Sequence, residues 1–359
     1  MLKKIDYYIL RKFLGTFFFI ITVFILIAVV FDISEKIDDF LEEEVTIGEI
    51  VVDYYLSFIP WIYSTLTPLL VFIAVILFTS KMAAQTEVIP ILSAGISFNR
   101  MLRPYFVGAV FLLIISLFMS HFVIPITNRN KIEFERKIYW GRFNLNNANI
   151  YQEIKPNHYL FLKSYSKTAD IGYDFKYDII EDGELKYRLA AGNVKWDHQR
   201  SLWIIKDWHE RTVTNGELSL RKGAVKDTVL CFDNQEFHKE SRMIGTMNYF
   251  ELKDYIESEK AKGSIYTKDY EMELIKRTAI PFSIIILTFI GVCIASKKTK
   301  GGTGADIAYG LALASSYVFL GKIGEVFAAN TPISTELAIW LPNIVYAIIA
   351  VFIYKLAPK

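Results

Sequence analysis

Long apolar runs separated by short polar stretches dominate the chain, and one long polar stretch divides them into two sets. A helix crossing a hydrocarbon core needs about 20 apolar residues. Six runs meet that length: Phe13–Phe31, Tyr55–Phe78, Tyr105–Ile126, Thr278–Ala295, Ile307–Ala328 and Leu337–Leu356. Met1–Lys12 reads as an amphipathic lead-in at the membrane surface. No small-residue cleavage pattern follows the first run, which marks it as a retained span. Inside the long polar stretch the period changes. HYLFLKSY, YDFKYDII, LKYRLAAGNVKW, LWIIKDWHERTV and VLCFDNQEF alternate aromatic or β-branched residues with polar ones, as strands do. Turn signals separate them at Lys155–Asn157, Glu181–Gly183 and Asn215–Gly216. Strands at this spacing predict an antiparallel sandwich, a jelly roll or an open barrel. Asn248 and Glu251 form a capping-box pattern opening a helix that Gly263 stops, and a second helix from about Lys268 runs into the fourth span.

One short stretch stands apart, Ser80–Pro104, between the second and third runs. It is too polar to sit in lipid and too short to be a domain. Its centre, Glu87–Ser97, reads as a small amphipathic helix broken by Gly95, with Val88, Ile91 and Leu92 on one face and Glu87 free to point elsewhere. A helix at the membrane face, joined to a span at each end, is well placed to be pushed by a second protein.

Charge sets the orientation. With the N-terminus inside, the inner segments hold Lys3, Lys4, Arg11, Lys12, Lys81, Arg100, Arg103, Lys297, Lys298, Lys300, Lys355 and Lys359. The short outer loops, Asp32–Asp53 and Ala329–Thr335, hold only Lys36. That asymmetry predicts both termini in the cytoplasm and the stretch 127–277 outside. The 359 residues are 53% hydrophobic with mean hydropathy +0.29, an excess that comes from the long runs and marks an integral membrane protein. The net charge of +2 gives no sign of nucleic-acid binding. Cys231 lies in a polar stretch and Cys293 in an apolar run, so no disulfide is expected.

Candidate chemistry is sparse. Lys322, with Glu325 one turn on, falls inside the fifth run, where a charge is costly and faces protein, a wet cavity or the interface. It reads either as a cation on the route of an anionic substrate or as a local pair snorkelling outward. The acidic run Asp32, Glu35, Asp38, Asp39, Glu42, Glu43 and Glu44 reads as a solvated loop, with a divalent-cation site as the lesser alternative. Gly301–Gly304 reads as a flexible inner turn, because the phosphate-loop pattern is absent from the chain, and no ATPase activity of its own is expected. The five histidines lack ligand spacing, no nucleophile motif occurs, and neither a catalytic residue, a metal nor a cofactor is expected. Trp196, Trp203 and Trp208 read as β-domain core.

Three spans, an outer β domain, three more spans, and an inner loop reading TEVIPILSAGIS followed by R-x-x-x-P together resemble the LptF/LptG permease family. The loop carries the most specific match, at Glu87, Ala94–Ser97 and Arg103–Pro104. Pro281–Phe282, Gly301–Gly302 and Trp340–Asn343 add to it. The resemblance implies an α-helical inner-membrane protein with six transmembrane helices and an inserted all-β, jelly-roll-like periplasmic domain. Its segments are then 1–126, with the coupling loop 80–104, then 127–277, and then 278–359. It implies a permease subunit of an ABC transporter that extracts lipopolysaccharide and passes it toward the outer membrane. The implied partners are an LptB-like ATPase dimer, a second LptF/LptG-type permease, and LptC- and LptA-like bridge proteins. Carried over, Glu87, Gly95, Ser97 and Arg103 belong to the ATPase-coupling elbow, and the first and fifth spans line a lateral gate. Family members of the LptG type are basic at the outer end of the first span, whereas this chain is acidic there apart from Lys36. Lys36, Lys322 and Glu325 are therefore the substrate or gate candidates, unless the partner permease supplies the charge or the lipid headgroup is less phosphorylated. The rival reading is a membrane-anchored scaffold whose β domain binds a partner.

Overall fold

The computed structural model describes residues 3–42, 45–139, 146–166, 169–181, 183–214, 217–230, 232, 241–261, 267–297 and 302–356. The helices are α1 (Lys4–Glu42), α2 (Ile47–Glu49), α3 (Leu56–Ala84), α4 (Val88–Ser93), α5 (Phe98–Phe118), α6 (Ile124–Tyr139), α7 (Tyr249–Ala261), α8 (Thr267–Ala295), α9 (Gly302–Asn330) and α10 (Thr335–Leu356). A π-helical turn at Ile50–Tyr55 joins α2 to α3, and another at Met119–Val123 joins α5 to α6. Six helical stretches are long and apolar enough to cross a membrane: α1, α2–α3, α5–α6, α8, α9 and α10. Two compact units result, 1–134 with 271–359, and 135–270.

In the helical unit α1 shows how a span is seated. Ile9, Phe13, Phe17, Ile20 and Ile21 recur at helical spacing and are buried, while Phe18, Phe19, Phe24 and Leu26 on the other faces are exposed. The buried stripe joins a core with Leu70, Val71, Ala74 and Val75 of α3 and Ala109 and Leu112 of α5. Gly108 brings α5 close, since a Cβ there would lie 2.7 Å from the Phe13 ring. Between apolar helices in lipid, such small-residue approaches and van der Waals packing stand in for the hydrophobic effect. Burial is uneven: 61% of the α8 window and 56% of the α3 window are buried, against 22% for α1 and 17% for α9. α1 and α9 are thus the spans least covered by the rest of the described chain.

The acidic stretch after the first run is not a loop. α1 continues to Glu42, because DISEKIDDFLE keeps apolar residues at Ile33, Ile37 and Phe40 and is rich in helix formers. Phe40 is buried against Tyr54 and Phe134, ring centroids 6.0 and 6.1 Å apart. Glu43 and Glu44 lie outside the described residues. Gly302, expected in a flexible turn, opens α9, and Gly301 lies outside the described residues.

The second unit is an inserted antiparallel sheet of six strands in chain order: β1 (Asn146–Lys155), β2 (His158–Ser166), β3 (Ile171–Glu181), β4 (Glu184–Asp197), β5 (Leu202–Thr214) and β6 (Glu217–Thr228). One face buries Leu160, Leu162, Phe175, Leu189, Val194, Trp203 and Ile205. Trp203 is fully buried and its indole N–H donates to the Phe232 carbonyl at 3.0 Å, while Trp196 meets it edge-on at 5.0 Å. Trp208 covers Gly223 of β6, where a Cβ would lie 2.9 Å from the indole ring. The expected strand VLCFDNQEF is not borne out where it can be seen, since Val229 and Leu230 are irregular and most of the rest lies outside the described residues. Two strands lie outside those expected, β1 and β6, and the residues of β6 are nearly all exposed and so lack a period-two signal. At α7 the capping box is present: Glu251 N–H donates to Asn248 Oδ1 at 3.0 Å, and Asn248 N–H to Glu251 Oε2 at 2.9 Å. The turn at Asn215–Gly216, the stop at Gly263 and Cys231 lie outside the described residues.

Two glycines of α9 make the packing testable. A Cβ on Gly324 would collide with the Ala338 carbonyl oxygen of α10, whereas Gly321 has open space around it. Gly324→Ala is expected to lower stability by ~1–3 kcal/mol through overpacking. Gly321→Ala is expected to be neutral or to stabilise by roughly 0.5–1 kcal/mol. Thermal unfolding of the two variants in detergent checks this, and equal midpoints would contradict the close crossing.

Candidate functional site

The elbow between the second and third spans is built by two backbone reversals. α3 stops at Ala84, and Thr86 takes φ +57, a left-handed conformation uncommon for a β-branched residue. Glu87 N–H donates to the Met82 carbonyl at 2.9 Å, which turns the chain into α4. At the far end Gly95 takes φ +81 with open space around it, so backbone conformation and not crowding requires glycine there. Ser97 then caps α5, its hydroxyl accepting from Arg100 N–H at 3.3 Å. Six residues would not hold a helix alone. Val88 is buried, and Ile91 and Leu92 pack against the same core as α1, α3 and α5. That is the apolar face expected from the sequence. Ile89 on the other side is exposed.

Polar ties anchor the elbow to three other spans. Arg100 forks onto Asp6 of α1, Nη1 to Oδ1 at 2.6 Å and Nη2 to Oδ2 at 2.5 Å. Asp6 is 1% exposed and also accepts from Lys3 N–H at 2.6 Å. Tyr8 of the same helix donates to Glu87 Oε2 at 3.1 Å. Ser80, at the elbow end of α3, donates to Asp306 Oδ2 of α9 at 2.5 Å, with both residues buried. Tyr354 of α10 donates to Asn99 Oδ1 and stacks its ring 6.3 Å from Phe98. Thr79 and Tyr105 close the joint between α3 and α5, their hydroxyls 2.9 Å apart. Glu87, Gly95 and Ser97 therefore share one anchored element. Arg103 is exposed on α5 just beyond it, with no ion-pair partner among the described residues.

The candidates Lys36, Lys322 and Glu325 separate into two clusters. Lys36 is committed: it pairs with Asp32 at 2.8 Å, hydrogen-bonds Tyr54 Oη, and lies 4.5 Å from the Tyr54 ring centroid. Asp32 also accepts from Tyr54 and Tyr55, each at 3.1 Å. Lys322 sits elsewhere, 70% exposed at its side chain and 3.1 Å from Glu325. Glu325 is shared with Lys276 of α8 at 3.8 Å. Sequence reasoning passed over Lys131, which stands 5.0 Å over Trp61 and 5.7 Å over Phe58, and Lys276, because both had been assigned to the outer domain and not to span ends. Basic residues within one turn of an apolar run were the signal that could have found them. No His, Cys, Asp and Glu group among the described residues has metal-binding geometry.

Comparison with known families returns one finding. The family model described as "Lipopolysaccharide export system permease LptF/LptG" matches residues 7–356, nearly the whole chain. No curated protein matches it.

Removing Arg100 would leave the Asp6 carboxylate buried with its strongest partner gone. Arg100→Ala is expected to cost ~2–3 kcal/mol of stability. Asp6→Asn combined with Arg100→Gln should recover a good part of that loss. A double-mutant cycle by detergent unfolding measures the coupling, and strictly additive effects would rule out the pair as a structural tie.

Proposed function

Since the chain belongs to the LptF/LptG family and is a multi-pass inner-membrane permease of a lipopolysaccharide export system, we propose that its elbow takes the stroke of a separate LptB-like ATPase dimer. The single observation carrying this reading is the wiring of the elbow: its polar ties run to α1 through Asp6, to α9 through Asp306 and to α10 through Tyr354. α1 and α9 are the first and fifth spans, those that the family pattern makes the lateral gate. They are also the least buried. A push on α4 therefore reaches both gate helices through short charge-assisted bonds and not through a flexible loop.

In this mechanism the ATPase docks on the exposed side of α4 and competes with Tyr8 for Glu87. Gly95 and Thr86 mark the points where α4 turns relative to α3 and α5. The rocking spans narrow a cavity shared with a second LptF/LptG-type permease, which covers the open faces of α1 and α9. Lipopolysaccharide leaves toward the β domain and LptC- and LptA-like bridge proteins, with both termini in the cytoplasm and the β domain in the periplasm. Lys322 meets lipid phosphates on this reading, with Glu325 setting its position, whereas Lys36 braces α1 against Tyr54 and Asp32. A membrane-anchored scaffold would have no use for an elbow tied to three spans.

Glu87→Ala is expected to weaken ATPase association by ~2–5 kcal/mol, the cost of leaving a desolvated partner unpaired. The chain should still insert and fold, since Tyr8 keeps its place on α1. Co-purification of the nucleotide-binding subunit and lipopolysaccharide-stimulated ATP turnover read the outcome. Wild-type values of both would remove Glu87 from the coupling contact.

A further inference from the structure

Beside the elbow, α5 and α8 leave a cleft of about 510 Å³ that the export mechanism does not use. Tyr105, Ala109 and Val292 form its buried floor, and Phe106 and Val107 its exposed, lipid-facing rim. Two observations point to an occupant. Thr288 of α8 lines the cleft, is 2% exposed, and its hydroxyl has no hydrogen-bond partner. A helical threonine ordinarily donates to the carbonyl one turn back, as Thr67 does to Tyr63 at 2.6 Å, so a buried free hydroxyl is costly unless something fills the site. At the cleft's elbow end stand Arg100 and Arg103. Arg100 is neutralised by Asp6, whereas Arg103 is exposed without an ion-pair partner among the described residues.

We infer that this cleft holds one anionic glycerophospholipid of the elbow-side leaflet, its phosphate on Arg103, an ester oxygen on the Thr288 hydroxyl and an acyl chain against Phe106 and Phe289. Depth fits that order of groups. Thr288 lies roughly 10 Å along the axis from Ala295 at the inner end of α8, at 1.5 Å per residue. It thus sits below the headgroup level, where ester oxygens end and acyl chains begin. A guanidinium forks onto phosphate and has no counterpart in a neutral sterol or acylglycerol. The site faces lipid beside the elbow and is distinct from the gate surfaces on α1 and α9. It adds to the part Arg103 takes in the elbow a place for a resident lipid.

The test is native mass spectrometry of the full-length chain, purified in detergent with the subunits that accompany it, and titrated with phosphatidylglycerol or phosphatidylcholine. One phosphatidylglycerol per chain should be retained in preference to phosphatidylcholine. Arg103→Gln should cut that retention about fivefold, equivalent to ~1 kcal/mol. Lys4, Arg11 and Lys12, which line a separate basic groove on α1, remain in that variant and control for general charge attraction. Thr288→Val should weaken retention of both lipids while leaving the preference for phosphatidylglycerol. A phosphatidylglycerol with a photoreactive acyl chain should label peptides containing Phe106 or Phe289. Equal retention by Arg103→Gln and wild type, labelling confined to α1, or displacement of the bound lipid by lipopolysaccharide would each overturn the assignment.

Discussion

A carboxylate buried at the edge of a membrane must be matched by a cation, and the architecture around the elbow follows from how Asp6 is matched. Its partner is not a neighbour on the same helix but Arg100, which opens the third span. Water cannot compensate Asp6 at 1% exposure, so α1 and α5 are held in one register by the cost of parting them. That constraint adds a directional tie to the apolar stripe and the Tyr8–Glu87 and Asp32–Tyr54 bonds that also hold α1. Its apolar stripe is narrow, and most of its surface faces away from the core. The Asp6–Arg100 pair and the Gly108–Phe13 approach thus fix where α1 meets α5.

The two ends of the bundle are joined by different chemistry. At the elbow the ties are short and charge-assisted, with directional geometry that transmits displacement. At the opposite end the Lys36–Asp32 pair is joined by broad aromatic contacts among Tyr54, Phe58, Trp61 and Phe134, with Lys36 over Tyr54 and Lys131 over Trp61, and two π-helical turns lie where α2 meets α3 and α5 meets α6. Aromatic and cation–π contacts tolerate sliding better than forked hydrogen bonds. π-helical turns often mark places where a helix adjusts. Directional bonds thus gather at the elbow and aromatic contacts at the opposite end, in a chain that belongs to the LptF/LptG family.

Much of this was legible in the sequence, for reasons that also explain what was not. Hydropathy runs exposed the six spans because lipid demands long uninterrupted apolar helices. The elbow was legible because Val88, Ile91, Leu92 and Gly95 are a local pattern. The ties were not, since Asp6 and Arg100 lie 94 positions apart and Ser80 and Asp306 lie 226 apart. A lone aspartate in a basic lead-in, or at the mouth of an apolar run, was the visible trace. The extension of α1 to Glu42 was hidden by reading charge as solvation, when Asp32 is the acceptor for three side chains. β6 escaped because a strand with both faces exposed has no alternation to detect.

The two reversals that bracket α4 are not equivalent. Gly95 occupies its left-handed conformation freely, whereas Thr86 holds the same region at a cost of roughly 1–2 kcal/mol, offset by the Met82–Glu87 hydrogen bond and the burial of Val88. One bearing is stiff and the other loose. On the proposed coupling role, a lever mounted that way would swing about its rigid pivot instead of sliding bodily, with the tip near Ala94 travelling farthest, and a single unfavourable backbone angle would set the direction of its swing.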